Sequence, residues 1–327
     1  MIYQDRIYGQ IKITEPVVLE LIDSSALQRL KGVDQCGYYE PYASGTAHSR
    51  FEHSLGVFIL LKKFGADLKE QLAGLIHDVS HGAFSHCIDY ALDEGSPKKH
   101  DHQDNIFAEF VKQTIIPAIL AKYGFKVDYI LNEANFPLKE RDLPDLCADR
   151  IDYSLRTALI FGEVEKKLIN GLVDNLSVEN KHWVFKDFNQ AKAYGQLFLR
   201  LNRQHYAGFT SALMFQTVGD FLRYALQRNY IEASDLYTTD KQLLIKAKAW
   251  LKSDKKLSLL WERMNNRIKA VHDPKDFDVQ VFCKSRIIDP LFKQGKQTQR
   301  LSEHLPGWKK VVTQESRPKE YFIRFEK

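Results

Sequence analysis

A mostly α-helical protein, a helical core with a small C-terminal α+β lobe, is the fold class this sequence predicts, and three observations predict it. Apolar residues recur at helical spacing from residue 15 to about residue 270. Histidines and aspartates gather within that helical stretch: seven of the eleven histidines fall between His48 and His102. After "VHDPKDFD" the texture changes, and "VQVFCKSRIID" and "KKVVTQESRPKEYFIRFEK" are rich in β-branched and aromatic residues. The expected division is therefore a helical domain over 1–272 and a small α+β lobe over 273–327.

Residues 2–14 alternate loosely through Tyr3, Ile7, Tyr8, Ile11 and Ile13, which reads as a strand or hairpin. From Glu15 the period becomes helical, with Val18, Leu19, Ile22, Leu27, Leu30 and Val33 near one face. Gly32, Gly37 and "YYEPYASGTA" make a loop. Helix resumes near Ser49 and again over 66–81, where Gly82 is placed to end it. Further helices are expected at 102–122, 141–161, 187–203, 207–228 and 240–270. The most polar loop is "DEGSPKKHDH" at 93–102.

Composition narrows the class. With 44% hydrophobic and 27% charged residues the chain reads as globular, and no apolar run approaches the ~20 residues of a membrane helix. The first residues, "MIYQDRIYGQIKITEP", lack the apolar core of a secretory signal, so a cytoplasmic location is expected. Cys36, Cys87, Cys147 and Cys283 are scattered without a C-x-x-C pair, which argues against disulfides and a cysteine zinc site. The net charge of +5 suits an anionic small substrate as well as a weak nucleic-acid contact.

The chemistry concentrates in "GLIHDVSHGAFSH", residues 74–86. Imidazole and carboxylate are the mixed donors that divalent metals accept. Read on a helix, the adjacent pair His77 and Asp78 points two ligands about 100° apart, and His77 and His81 share a face one turn apart. His53 lies on the preceding helix, and "LCADRIDYSLR" offers Asp149 and Asp152. Four such ligands from three helices leave coordination positions open, the pattern of a catalytic site. "HDVSH" also resembles H-E-x-x-H of zinc proteases, but Gly82 and His86 do not continue the extended motif. The bland alternative is a set of capped or core histidines.

Taken together, "HSRFEHSLGV", "GLIHDVSHGAFSH" and "ADRIDY" resemble the H…HD…D signature of the HD-domain metal-dependent phosphohydrolases, and specifically the deoxynucleoside triphosphate triphosphohydrolase branch. The likeness runs from residue 2 to about residue 160, with an HD core at about 45–160. Weaker echoes follow in "NRQHYAGF" and "KSRIIDPLF". The resemblance implies His53, His77, Asp78 and Asp149 as metal ligands, with Asp152 the substitute for Asp149. It assigns phosphate contacts or proton transfer to Arg50, His81, His86 and His102, places Asp89 behind His86, and gives Arg150 a phosphate contact. Gln35 matches a glutamine near the sugar 3′-hydroxyl, Tyr153 a tyrosine beside sugar and phosphates, and Tyr206 a second tyrosine. Thr157 stands where the triphosphohydrolases carry an aspartate for the 3′-hydroxyl.

The resemblance implies a divalent cofactor (Mn, Mg, Fe, Ni or Zn), a nucleotide or other phosphorylated small molecule as substrate, and a homo-oligomer. The leading expectation is hydrolysis of deoxynucleoside triphosphates to nucleoside and triphosphate. Hydrolysis of another phosphoester, a nucleoside monophosphate or an alarmone pyrophosphate, is the alternative within the family. Outside it stands a non-catalytic protein binding nucleotide or single-stranded nucleic acid, for which the basic helical stretch 240–270, with Trp250 and Trp261, offers cations and stacking surfaces.

Overall fold

The computed structural model describes residues 1–326. It is mostly helical, with small sheets concentrated toward the C-terminus. The chain opens with an antiparallel hairpin, β1 (Ile2–Asp5) and β2 (Gly9–Lys12). Asp5 closes its turn by accepting from the Ile7 and Tyr8 amides at 2.7 and 2.9 Å. The helix expected from Glu15 to Val33 is two, α1 (Pro16–Asp23) and α2 (Ser25–Arg29). Ser24 separates them: its backbone is extended, and its hydroxyl caps α2.

Next comes α3 (Arg50–Lys63), started by a capping box. Ser49 Oγ accepts from the Glu52 amide at 3.2 Å, and Glu52 returns the bond to the Ser49 amide at 3.1 Å. Leu55, Phe58 and Ile59 face a core cluster formed with α1 and with α4 (Leu68–Ile76). Val57, Leu60 and Leu61 face a second cluster, formed with Ile151 and Leu155 and with Leu197 and Leu201 later in the chain. The middle of the helix is therefore buried on opposite sides, which is the physical reason for the unbroken run "VFILL".

The expected helix at 102–122 is also two, α5 (His102–Lys112) and α6 (Ile116–Lys122), followed by α7 (Val127–Leu131). α8 (Ala148–Ile160) packs on α3. α9 (Lys166–Asn175) leads to the hairpin β3 (Leu176–Glu179) and β4 (His182–Phe185). α10 (Phe188–Leu201) ends in a π-turn over Asn202–Tyr206 before α11 (Phe209–Gln227). The expected helix at 240–270 breaks into α12 (Asp240–Lys248) and α13 (Lys255–Met264), the second restarted by Asp254, whose carboxylate accepts from the Lys256 and Leu257 amides.

The C-terminal part comprises β5 (Ala270–His272), β6 (Val279–Cys283), β7 (Leu291–Gln294), β8 (Gln297–Arg300), α14 (Leu301–His304), α15 (Trp308–Glu315) and β9 (Lys319–Phe325). β5, β9 and β6 form one antiparallel sheet, while β7 joins β4 in parallel within the sheet order β3-β4-β7-β8. Val281, Cys283, Ile323 and Phe325 share a core cluster with α11. The α+β part is thus docked on the helical body. Among the described residues no helix is long and apolar enough to cross a membrane.

One close approach fixes how α3 meets α8. A Cβ on Gly56 would lie 2.0 Å from Asp152 Oδ1 and 2.2 Å from Arg156 Nη2. Gly56→Ala is therefore expected to push the helices apart and destabilise the fold by about 1–3 kcal/mol. Chemical denaturation checks this, and an unchanged midpoint would mean that the helices do not meet so closely.

Candidate metal centre

His53 sits one turn into α3, wholly buried, and points across to α8. Its Nδ1 lies 2.7 Å from Asp152 Oδ2, and its Nε2 lies 2.8 Å from Asp149 Oδ1 and 3.2 Å from His77 Nε2. His77 Nδ1 is 2.7 Å from the Gly74 carbonyl, and its Nε2 is 3.4 Å from both Asp149 Oδ1 and Asp78 Oδ1. Asp78 Oδ2 is 3.8 Å from His53 Nε2. Two donors at right angles around one ion, each about 2.1 Å from it, lie about 3 Å apart, so these separations are those of a ligand set.

The proton inventory leads to the same assignment. The Gly74 carbonyl makes His77 Nδ1 the N–H donor, so its bare Nε2 faces His53 Nε2, whose ring has a carboxylate at each nitrogen. Facing ring nitrogens beside carboxylates need a cation or a proton between them. Without a cation the proton substitutes: burial opposes charge on His53, but Asp149 and Asp152 outweigh it and push the imidazole up to about 9. His53, His77 and Asp149 therefore fit a divalent ion, with Asp78 beside them at 3.4 Å from His77 Nε2. Asp152 does not join them: it lies behind His53, held by Arg156 at 2.9 and 3.0 Å, and orients the ring.

The sequence expectation of His77 and His81 on one helical face is corrected. α4 stops at Ile76, His77 is its C-cap, and residues 77–80 form a turn. The turn carries Asp78 toward Arg50, whose Nη1 lies 2.6 Å from Asp78 Oδ2. Arg50 is further fixed by donating to Ser85 Oγ at 2.7 Å and to the Gln35 carbonyl at 3.3 Å. Phe84 and Ser85 adopt left-handed backbone, φ 59° and 50°, a conformation that non-glycine residues resist. Asp240 holds the bend by accepting from the Phe84 amide at 2.7 Å.

From Asp78 a row of imidazoles leads away from the ligands. His81 Nε2 is 3.4 Å from Asp78 Oδ1, and the rings of His81, His86 and His100 follow with centroids 5.0 Å apart at each step. All three are held well below the usual histidine range, first by burial and then by neighbouring positive groups. They are neutral at pH 7. Asp89 lies behind His86, 3.5 Å from its Nδ1, and does not reach the cavity.

His102 is a second correction. Its ring turns away to the Tyr237 hydroxyl at 3.0 Å, and its amide donates to Asp89 at 3.1 Å. His100, at φ 50°, occupies the cavity instead. Sequence reasoning missed it because the two histidines are two residues apart in a polar loop, and only the left-handed turn at His100 decides which ring points inward.

The ligands open on a cavity of about 370 Å³. Gln35, Arg50, Arg150, Tyr153, Tyr206 and Thr157 line it. Arg150 donates through Nη1 to the Arg141 and Asp145 carbonyls at 3.1 and 2.8 Å, while its buried Nε has no protein partner. Gln35 Oε1 and the Tyr153 hydroxyl are likewise buried without a partner among the described residues. Tyr153 meets Tyr206 edge-on at 5.4 Å. Such orphaned groups are rare in a folded interior and converge here on one space.

Burial of neutral histidines has a measurable consequence for stability. Burial holds His48 down at about 4 and His100 well below its normal range, whereas unfolded histidine titrates near 6.5. Below pH 6.5 the unfolded chain takes up protons that the native rings refuse. Stability is thus expected to fall as pH drops from about 6.5, by up to about 1.4 kcal/mol per pH unit for each ring, with the His48 contribution ending near pH 4. Urea midpoints that stay level between pH 7.5 and 5 would contradict this, and His48→Gln is expected to flatten the curve.

A helical domain with a His/Asp site fit for a divalent ion is the class of protein the geometry gives, and comparison with known proteins gives its chemistry and family. The HD domain model matches residues 50–157. The chain is 30% identical over 318 residues to the metal-dependent phosphohydrolase cns2 of Cordyceps militaris, covering 94% of this chain and 90% of that one. It is 33% identical over 287 residues to the uncharacterized protein YdhJ of Bacillus subtilis, covering 88% and 86%. The deoxynucleoside triphosphate triphosphohydrolase SAMHD1 of Gallus gallus is 29% identical over 163 residues, 42% of this chain and 26% of that one. A crystal structure of a phosphohydrolase from Bacteroides thetaiotaomicron superposes over the whole of both chains with a TM-score of 0.77 at 18% identity, which shows a common fold. The chain belongs to the HD-domain metal-dependent phosphohydrolases, and its cofactor is a divalent metal ion.

Proposed function

We propose that this phosphohydrolase acts on nucleotides, and that its leading reaction is hydrolysis of deoxynucleoside triphosphates to nucleoside and triphosphate. The observation that carries the reading is the cavity itself: a His/Asp metal centre at one wall, fixed guanidinium groups beside it, and unpartnered polar groups from Gln35, Arg150 and Tyr153 aimed into the same space.

When bound, a divalent ion supplies Lewis acidity toward a phosphoryl oxygen. The chain's own residues do the rest. Arg50, pinned by Asp78, Ser85 and the Gln35 carbonyl, presents positive charge where the oxygens gain negative charge. His81 and His86, neutral in the free protein, gain proton affinity when the anionic substrate arrives, so that one can protonate the leaving oxygen. Asp89 steadies His86 from behind. Tyr153 and Tyr206 form an aromatic corner suited to the sugar.

Thr157 favours a second reading. It lines the cavity where a carboxylate would grip the 3′-hydroxyl, and a threonine hydroxyl makes a weaker, uncharged contact. A phosphoester without that requirement, such as a nucleoside monophosphate, also suits the site. Product analysis with a nucleotide panel separates the two, with Asp78→Asn as the control. Inorganic triphosphate plus nucleoside supports the first reading, and phosphate or pyrophosphate the second. Absence of turnover with retained binding would overturn both.

A further inference from the structure

The cavity is lined by six Lys and Arg side chains. Four have a carboxylate within 4.0 Å: Arg50 pairs with Asp78, Lys139 with Glu133, Arg150 with Glu140 at 3.4 Å and Arg141 with Asp145 at 3.9 Å. Among the described residues Lys284 and Arg286 have none, and neither side chain makes a hydrogen bond there. Both come from the segment after β6, far outside the matched HD domain.

Their direction is built in. Ser285 between them is buried: its hydroxyl donates to the Glu315 carbonyl at 2.6 Å and accepts from Asn202 Nδ2 at 2.9 Å. The Arg286 amide donates to Asn202 Oδ1 at 2.8 Å. In an extended segment alternate residues face opposite ways, so pinning Ser285 inward turns both neighbours to the other side, where both line the cavity. Two half-buried cations held side by side repel each other, and the nearby carboxylates of Asp104 and Asp89, neither within 4.0 Å, offset this only in part. Burial and the Arg286 charge accordingly bring the Lys284 ammonium down to about 8. Their fields reach His86 and His100, the end of the imidazole row away from the metal ligands.

The geometry points to a second anion subsite formed by Lys284 and Arg286, which takes a phosphoryl group beyond the one held at the metal centre and so selects substrates with two or more linked phosphates. This rests on the phosphohydrolase reading and names a substrate class within it. It also gives the C-terminal segment a direct part in the site.

The test is equilibrium binding of inorganic phosphate and inorganic tripolyphosphate to the metal-loaded full chain by calorimetry. The wild type is expected to prefer tripolyphosphate at least tenfold. In Lys284→Gln/Arg286→Gln that ratio is expected to fall to within about twofold, while phosphate affinity and bound metal stay unchanged. Either a wild type without preference or a double variant that keeps it overturns the subsite. If the double variant loses its cooperative melt, Lys284→Gln alone, whose ammonium bonds nothing, must lower the ratio at least threefold, and Arg286→Lys must retain most of it. Turnover is scored separately: no hydrolysis with the preference intact overturns the nucleotide reaction and leaves the subsite, whereas hydrolysis without preference overturns the subsite alone.

Discussion

Asp78→Asn is expected to strip the bound metal and lower turnover by about a thousandfold or more, the scale at which loss of preorganised charge at a transition state is felt. Asp78 has two tasks. One oxygen lies 3.4 Å from His77 Nε2 and His81 Nε2, and the other takes the Arg50 guanidinium at 2.6 Å. Asparagine keeps the shape but withdraws the charge that a cation and Arg50 share. Metal content by mass spectrometry and kcat/KM read the two effects apart. Full metal content with unchanged turnover would remove Asp78 from the centre, while lost metal with a native melt would confirm that the effect is local.

Arg156→Met is expected to destabilise the protein by about 3–5 kcal/mol, the largest stability effect we anticipate from a single substitution outside the apolar core. Arg156 is wholly buried and bridges Asp152, at 2.9 and 3.0 Å, to Asp5 of the N-terminal hairpin at 3.1 Å. Burial alone would raise Asp152, but Arg156 and then His53 hold it below the usual carboxylate range. Methionine fills much of the same volume and leaves two buried carboxylates without their cation. Adding Asp5→Asn removes one of them, so the double variant is expected to recover part of the loss. Chemical denaturation of the wild type and both variants checks the sign of each step, and a single variant as stable as wild type would show that the triad is not held as tightly as its distances require.

Much of the metal centre was legible in the residues. His53, His77 and Asp149 lie close enough to hold one ion, with Asp78 beside them, because ligand chemistry restricts which residue types can converge and "FEHSLG" and "ADRIDY" place His53 and Asp149 on helices that periodicity identifies. Where the reading of local structure failed, it failed at chain breaks. Ser24, the turn after Ile76, and the restart at Asp254 interrupt continuous apolar periodicity, since a side chain that caps a helix is indistinguishable in sequence from one that merely lies within it. Residue type and spacing alone did not rank Asp149 and Asp152, three residues apart on one helical face, and only the family resemblance put Asp149 first. The distinction came from Arg156 and His53 Nδ1, which claim Asp152.

The sequence by itself determined the helical class and the metal-binding residue types, because periodicity and ligand spacing are local properties, and its motif blocks resembled the family to which the chain belongs. Tertiary structure alone decided that His100 rather than His102 enters the cavity, that Asp152 orients instead of ligates, and that Lys284 and Arg286 reach a site more than a hundred residues away in the chain. These outcomes depend on a left-handed turn, a buried ion pair and a serine pinned between two elements, and each is set by partners that no local pattern can name.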